Sequence, residues 1–382
     1  MRNDCDNCTY TRRLFMARKK APVETIETAH PHTIKKFELI EEYVKAWAQK
    51  LLNYGKCKGI VFIDCMCNSG VYHDDDGNEV VGTPIRVANY LSGIMAGYPS
   101  KQAWCYFNDL SSEKIDTLKS RLPSSTANFH IETRTSDGND LLRALNISES
   151  MHVHYLLVYD PYEATVNWEA LMPFISNWGD VIINHMVSDS VRAVSQTRRA
   201  SAVAKYEQTY LSSIQEIATF GSDRDAYEKR IHEIMLASHG TANKRYYIAS
   251  FPFFNTKNAV VYNLVLGSSN IEGFKLFKKI AWRIFGDRSS AKKTNINQNQ
   301  LMFDFTGKGL TTTHTDENCY NVRDIAKYLY SVYKGKSNVP LKELWDALAE
   351  HPVFPSEGYA TEIKKSLEED FGCKVSRSSI TF

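Results

Sequence analysis

Gly59-Ile-Val-Phe-Ile-Asp64-Cys-Met-Cys-Asn68-Ser-Gly70 is the stretch whose reading decides the fold. Residues 59–63 are apolar or glycine, and an acid, a short polar turn and a glycine follow. An apolar run without alternation predicts a strand buried on both faces, as in parallel sheets. Its acid and tight turn then fall at the carboxyl edge of an α/β sheet, where a loop backbone can approach a ligand closely.

The pattern repeats outward from that stretch. Strand-like runs cover residues 60–64, 103–107, 129–133, 155–160 and 181–184, and helix-like runs cover 84–95, 112–122, 140–145 and 168–178. Thr83-Pro84 reads as an N-cap followed by proline at the first helical position. Such alternation predicts a mostly parallel sheet covered by helices on both faces. Charged helical stretches over 190–220 and 223–238 interrupt the rhythm and predict a helical insertion spanning 188–243. Two strands over 246–253 and 260–266, joined by the short loop Phe254-Asn-Thr-Lys-Asn258, must pair antiparallel. Five alternating strands and a terminal hairpin resemble the seven-stranded, Rossmann-type sheet of class I methyltransferases.

The flanks differ in composition. Residues 1–30 form a basic arm with Arg12, Arg13, Arg18, Lys19 and Lys20, lacking apolar periodicity. From Thr33 onward Ile34, Phe37, Ile40, Tyr43, Trp47 and Leu51 recur at helical spacing and open the α/β domain, 31–287. Residues 288–313 are polar and read as a linker. Three helical runs and a short β tail in 314–382 fit a winged-helix-like domain.

Composition bounds the partners. The chain has 382 residues, 43% hydrophobic and 24% charged, with a net charge of +2. It is not a polycation, so attraction to nucleic acid must come from local patches. No apolar run reaches the roughly 18–20 residues that span a bilayer, and the N-terminus lacks a secretory apolar stretch. A cytoplasmic protein without a membrane partner is expected. The eight cysteines are scattered, which favours free thiols. Cys5-Asp-Asn-Cys8 is a single pair without a second pair at finger spacing, so no metal is predicted, although His30 or His32 would complete a set.

Each strand end carries a polar group. Asn68 stands where methyltransferases place the first glycine of their cofactor loop, and asparagine tolerates positive φ. Gly70 keeps the close-approach position, and Asp64 would shape the loop. Asn108-Asp109 end the second strand, where Asp109 would take the ribose hydroxyls or cap the next helix. Asp137 or Asp140 would accept the adenine amine, the other being a cap. Asp160-Pro161-Tyr162 ends the fourth strand and resembles the D-P-P-Y motif of amino methyltransferases with one proline lost. That resemblance implies that Asp160 accepts a hydrogen bond from the target amine and that Tyr162 stacks on the target base, the alternative being a plain Asp-Pro turn. His185, closing the fifth strand, would shuttle a proton or be structural. Lys275, Lys279 and Arg283 sit four residues apart on one helix beside Lys278, a row that suits a phosphate backbone or a solvated face.

Together these segments resemble the three-Cys-motif partner protein (TcmP) family. Its H-T-x-x-K helix motif is answered by His32-Thr-Ile-Lys-Lys36, and its F-I-D loop by Phe62-Ile-Asp64 through Gly70. Its G-S-P is answered by Gly82-Thr-Pro84 and its D-P-F-G by Asp160-Pro-Tyr-Glu163. The resemblance spans roughly residues 30–286. It implies a methyltransferase-like fold using S-adenosylmethionine, and association with a radical-SAM-like protein bearing three cysteines. Two functions are expected from the sequence. One is methyl transfer to an amino group of a nucleic acid. The other is a catalytically degenerate partner that binds nucleic acid or that radical-SAM-like protein. A thiol or metal protein using Cys5/Cys8 and Cys65/Cys67 is a third, less economical reading.

Overall fold

The structure, a computed structural model, describes residues 25–145, 152–177, 179–194, 200–239, 245–292 and 319–382. The chain opens with β1 (Glu27–Thr28) and α1 (Pro31–Asn53), then β2 (Gly59–Asp64). A hairpin follows, β3 (Val71–His73) and β4 (Glu79–Val81), and leads into α2 (Thr83–Met95). Alternation continues through β5 (Gln102–Asp109), α3 (Ser112–Lys119), β6 (Phe129–Thr135), α4 (Gly138–Ala144), β7 (Val153–Tyr159), α5 (Trp168–Ile175) and β8 (Gly179–His185). Four helices come next: α6 (Val187–Val194), α7 (Ala200–Tyr210), α8 (Ile214–Ala218) and α9 (Arg224–His239). Then β9 (Tyr247–Phe254), β10 (Val260–Ser268) and α10 (Ile271–Ile284) close the α/β part. The last segment holds α11 (Val322–Tyr333), β11 (Val339–Pro340), α12 (Leu341–Glu350), α13 (Ala360–Glu369), β12 (Lys374–Val375) and β13 (Ser379–Thr381).

The main sheet has seven strands in the order β6-β5-β2-β7-β8-β10-β9. The first five are parallel, and β10 runs antiparallel to both β8 and β9. This is a class I methyltransferase-like, Rossmann-type sheet. Residues alternate between faces along each strand. Phe62, Leu156, Ile182 and Leu264 pack with α1, α2 and α10. Ile63, Leu157, Ile183 and Val265 pack with α5 and the helices of the insertion. All parallel strands therefore end at one edge, together with the start of β10, whose Asn263 lies opposite His185.

Three features depart from expectation. Gly82, not Thr83, occupies the N-cap of α2, and Thr83 is buried within its first turn. The 190–220 stretch is broken into separate short helices. The segment after Gly70 forms a sheet of its own, β1-β3-β4, that stitches the N-terminal strand to the loop after β2. Its two- and three-residue strands are too short to show periodicity in sequence. The arm to residue 24, the Cys5/Cys8 pair and most of the linker lie outside the described residues. No helix among the described residues is long and apolar enough to cross a membrane.

The C-terminal helices carry a three-stranded sheet, β11-β13-β12. They are tied to α10 by Lys278, whose buried ammonium donates to the carbonyls of Leu348, Ala349 and His351 at 2.9, 3.0 and 2.5 Å. Those carbonyls end α12, where a cation meets both orphan acceptors and the negative end of the helix. Trp282 Nε1 adds a bond to the Val353 carbonyl at 3.0 Å. Lys278→Met keeps the apolar stem and removes the donor. It should lower stability by about 1.5–3 kcal/mol, read as a lower urea midpoint; an unchanged midpoint would show that the ammonium is not the tie.

Candidate functional site

The rim begins where β2, β5 and β6 end side by side. Asn108, fully buried, holds their loops together. Its Nδ2 donates to the carbonyls of Cys65 at 3.0 Å and Ser136 at 2.9 Å, and its Oδ1 accepts from Ser136 Oγ at 2.8 Å. Its own carbonyl accepts the Cys67 N–H at 2.8 Å. The turn between them is left-handed, with Asn68 at φ 58° and Gly70 at φ 68°. Asn68 thus performs the turn that its residue type allows. Gly70 serves packing as well: a Cβ there would lie 2.7 Å from Leu118 Cδ1 and 3.0 Å from Ile85.

The acids divide by role. Asp109 accepts the Asn68 N–H at 3.1 Å and the Ser111 N–H at 2.9 Å, fixing the loop, while Ser111 caps α3. Asp137 is the N-cap of α4, accepting from the Asn139 N–H at 2.8 Å. Asp140 pairs with Arg143 at 2.9 Å. Asp64 is buried, and its Oδ1 has no hydrogen-bond partner among the described residues. Burial first, then the neighbouring Asp160 and Asp109 carboxylates, push the Asp64 carboxyl up to about 7, against a Met66 N–H and Lys36. Asp64, Asp160 and Asp137 also raise the thiol of Cys65 after burial does. These carboxylates therefore share one rim. The buried thiols of Cys65 and Cys67 are both pushed well up, which disfavours the thiolate that a thiol-chemistry reading needs.

The cation facing this rim is Lys36, from the first turns of α1. Lys36 is buried, and its ammonium donates to Asp160 Oδ2. It lies 5.3 Å from the ring centre of Tyr262, whose hydroxyl donates to the His32 carbonyl at 3.0 Å. Burial, His30 and Lys36 push the His32 imidazole down to about 4, so it is neutral near pH 7. The other oxygen of Asp160 accepts from Asn184 Nδ2 at 2.5 Å. Pro161 is buried, whereas Tyr162 is 86% exposed beside it. Lys36, Asn184 and Tyr262 meet Asp160 or its partner at this rim, and the sequence assigned none of them a role. The signal for Lys36 was its place as the lysine of H-T-x-x-K, and for Asn184 its place at a strand end.

The structure bears on two readings that the sequence left with alternatives. His185 does not face the rim: it is buried toward the insertion, bonded through Nε2 to the Tyr210 hydroxyl at 2.9 Å. Burial, then His232, push it down to about 3, which unfits it for proton shuttling near neutrality. The row Lys275, Lys279 and Arg283 is answered inside the chain. Lys275 pairs with Glu272 at 3.0 Å and Glu357 at 3.3 Å, Lys279 with Glu357 at 3.5 Å, and Arg283 with Glu42 at 2.8 Å. Glu42 comes from α1 and Glu357 from the C-terminal segment, so neither was visible as a partner in sequence, whereas Glu272 sits three residues before Lys275 on α10 itself. Each of the three cations is thus paired within the chain, while Lys279 and Arg283 stay 46% and 61% exposed. Among the described residues no group of three or more histidines, cysteines or acids is placed to hold a metal ion.

No protein-family model matches the chain, and no curated protein matches it. Among solved structures it is similar to a Legionella pneumophila protein of the DUF519 family, with 13% identity, 66% of this chain and 93% of that one covered, and a TM-score of 0.37. It is also similar to an O-methyltransferase from Bacillus cereus in complex with SAH, with 11% identity, 60% and 80% covered, and a TM-score of 0.31. A third is the O-methyltransferase TomG from Streptomyces achromogenes in complex with SAM, with 13% identity, 60% and 78% covered, and a TM-score of 0.28. The fold itself rests on the strand order and direction of the main sheet.

Proposed function

We propose that the protein binds S-adenosylmethionine at the rim of β2, β5 and β6 and methylates an amino group of a nucleic-acid base beside Asp160 and Tyr162. One observation carries this reading. Asp64 lies beside the buried Asp160–Lys36 ion pair with Asp160 and Asp109 as its carboxylate neighbours, and its buried Oδ1 lacks a donor among the described residues. An excess of carboxylate with an empty buried acceptor fits a cationic ligand rich in N–H groups. S-adenosylmethionine carries an ammonium and a sulfonium, and when bound it supplies an electrophilic methyl group. Asp64 would hold the ammonium, the turn 68–70 would face the ligand, Asp109 would take the ribose, and Asp137 the adenine. The chain's work is then to position a nucleophile. The exposed Tyr162 ring offers a stacking surface for a base. The basic arm and a winged-helix-like C-terminal unit would hold the polymer.

A second reading has an observation of its own. Both oxygens of Asp160 are already engaged, by Lys36 and Asn184, which would suit a degenerate protein that binds nucleic acid or a three-Cys-motif radical-SAM-like partner without turnover. Labelled donor incubated with bulk DNA or RNA separates the two, since transfer of label excludes the silent reading.

Calorimetry should detect S-adenosylmethionine or S-adenosylhomocysteine binding to the wild type and none to Asp64→Ala; a wild type without binding ends this proposal. Binding should also depend on pH in a defined direction. The ligand-free protein keeps a proton on Asp64 below about pH 7, where burial and Asp160 raise its carboxyl. A bound ammonium favours the ionised form, so binding expels that proton and affinity should rise as the pH climbs through about 7. In Asp64→Asn the pH dependence should flatten, and a slope that persists would assign the proton to another group.

A further inference from the structure

Asn184 stands near the end of β8, 4% exposed, on the face of the sheet that α1 covers. Its Nδ2 donates to Asp160 Oδ1 at 2.5 Å and lies 3.8 Å from Met186 Sδ. Its Oδ1 is buried and has no hydrogen-bond partner among the described residues. The carboxylate decides which way the amide faces, because a flipped amide would set oxygen against oxygen. The free atom is therefore an acceptor, one bond from the residue that the D-P-x-Y resemblance would assign to the target. Asp160 already holds a donor on each oxygen, Lys36 on one and Asn184 on the other, whereas Asn184 Oδ1 holds none among the described residues. A buried acceptor without a donor is the place where a ligand's N–H completes the site.

We infer that Asn184 Oδ1 is the atom that accepts the N–H of the methyl-accepting amine, with Asp160 and Lys36 as positioning residues that fix the amide. This rests on the methyltransferase reading above and narrows its substrate. An amide oxygen is neutral, and the Lys36 and Asp160 charges beside it offset each other, so Oδ1 offers a protonated alkyl amine no counter-charge of its own. A neutral amino group on an aromatic base, as in adenine or cytosine, fits. An oxo group at the same position would set a second acceptor against Oδ1.

The test uses the full chain saturated with S-adenosylhomocysteine, so that nucleosides cannot enter the donor site. Saturation-transfer NMR then compares adenosine with inosine and cytidine with uridine. In the wild type at least one amino nucleoside should bind about fivefold or more tighter than its oxo counterpart. In Asn184→Ala that preference should shrink to roughly twofold or less, with S-adenosylhomocysteine binding serving as the control for folding. A wild type without preference, or a preference that survives in Asn184→Ala, overturns the assignment while leaving donor binding intact. Failure of the wild type to bind S-adenosylhomocysteine instead removes the reading beneath it. If the alanine variant does not fold, amino-¹⁵N-labelled adenosine on the wild type decides: an amino proton shifted downfield on binding supports the contact, and an unshifted one refutes it.

Discussion

The buried ammonium of Lys36 is the constraint on which the site depends. A lysine nitrogen removed from water is costly unless a counter-charge and hydrogen bonds meet it, and breaking such a pair leaves an uncompensated charge inside. Lys36 comes from α1 and Asp160 from the end of β7, so their pairing fixes the N-terminal helix over the carboxyl edge of the sheet. α1 is anchored at a second level by Tyr43, whose hydroxyl donates to Asp180 Oδ2 at 2.6 Å near the other end of β8. Two polar contacts about two helical turns apart set both position and rotation of α1, which apolar packing alone would leave freer.

The same pair organises the electrostatics around it. Asp64 sits on β2, next to β7, and feels Asp160 as its largest charged neighbour. Were Lys36 absent, two carboxylates would face each other with less compensation, and the proton on Asp64 would be held still more firmly. Asn108 makes this crowding mechanically tolerable. One buried side chain ties three loops, so the acids are held by backbone rather than by each other. Preorganisation of this kind is what a site needs in order to meet a charged ligand without rearranging.

Much of the fold was legible because its signals are local. Unbroken apolar runs marked four of the five parallel strands, β6 reading as the mixed Phe129-His-Ile-Glu-Thr133, and the short polar loop 254–258 forced the β9–β10 pair. Asn68 was readable as a left-handed turn from its residue type alone. What escaped were relations between distant residues. The β1-β3-β4 sheet pairs strands too short to carry a period. The α10 cations looked open because Glu42 and Glu357 are 241 and 78 residues away from their partners Arg283 and Lys279. Lys36 and Asn184 lie 124 and 24 residues from Asp160, and neither spacing carries a chemical signature. A strand-end acid announces itself in sequence; the residue that will occupy its oxygens does not.

That distinction bears on how the site should be read. A motif match assigns a role to Asp160 by residue type, but the geometry shows its acceptor capacity directed at Lys36 and Asn184. Among the described residues, unsatisfied acceptors lie on the strands to either side, at Asp64 Oδ1 on β2 and Asn184 Oδ1 on β8. They differ in chemistry. Asp64 can ionise and so suits a cationic donor, while the Asn184 amide stays neutral at every pH and suits a neutral one. Two unmet acceptors of unlike charge character, on either side of one buried ion pair, are what a site needs if it is to keep a cationic methyl donor and a neutral amine in separate places along one sheet edge.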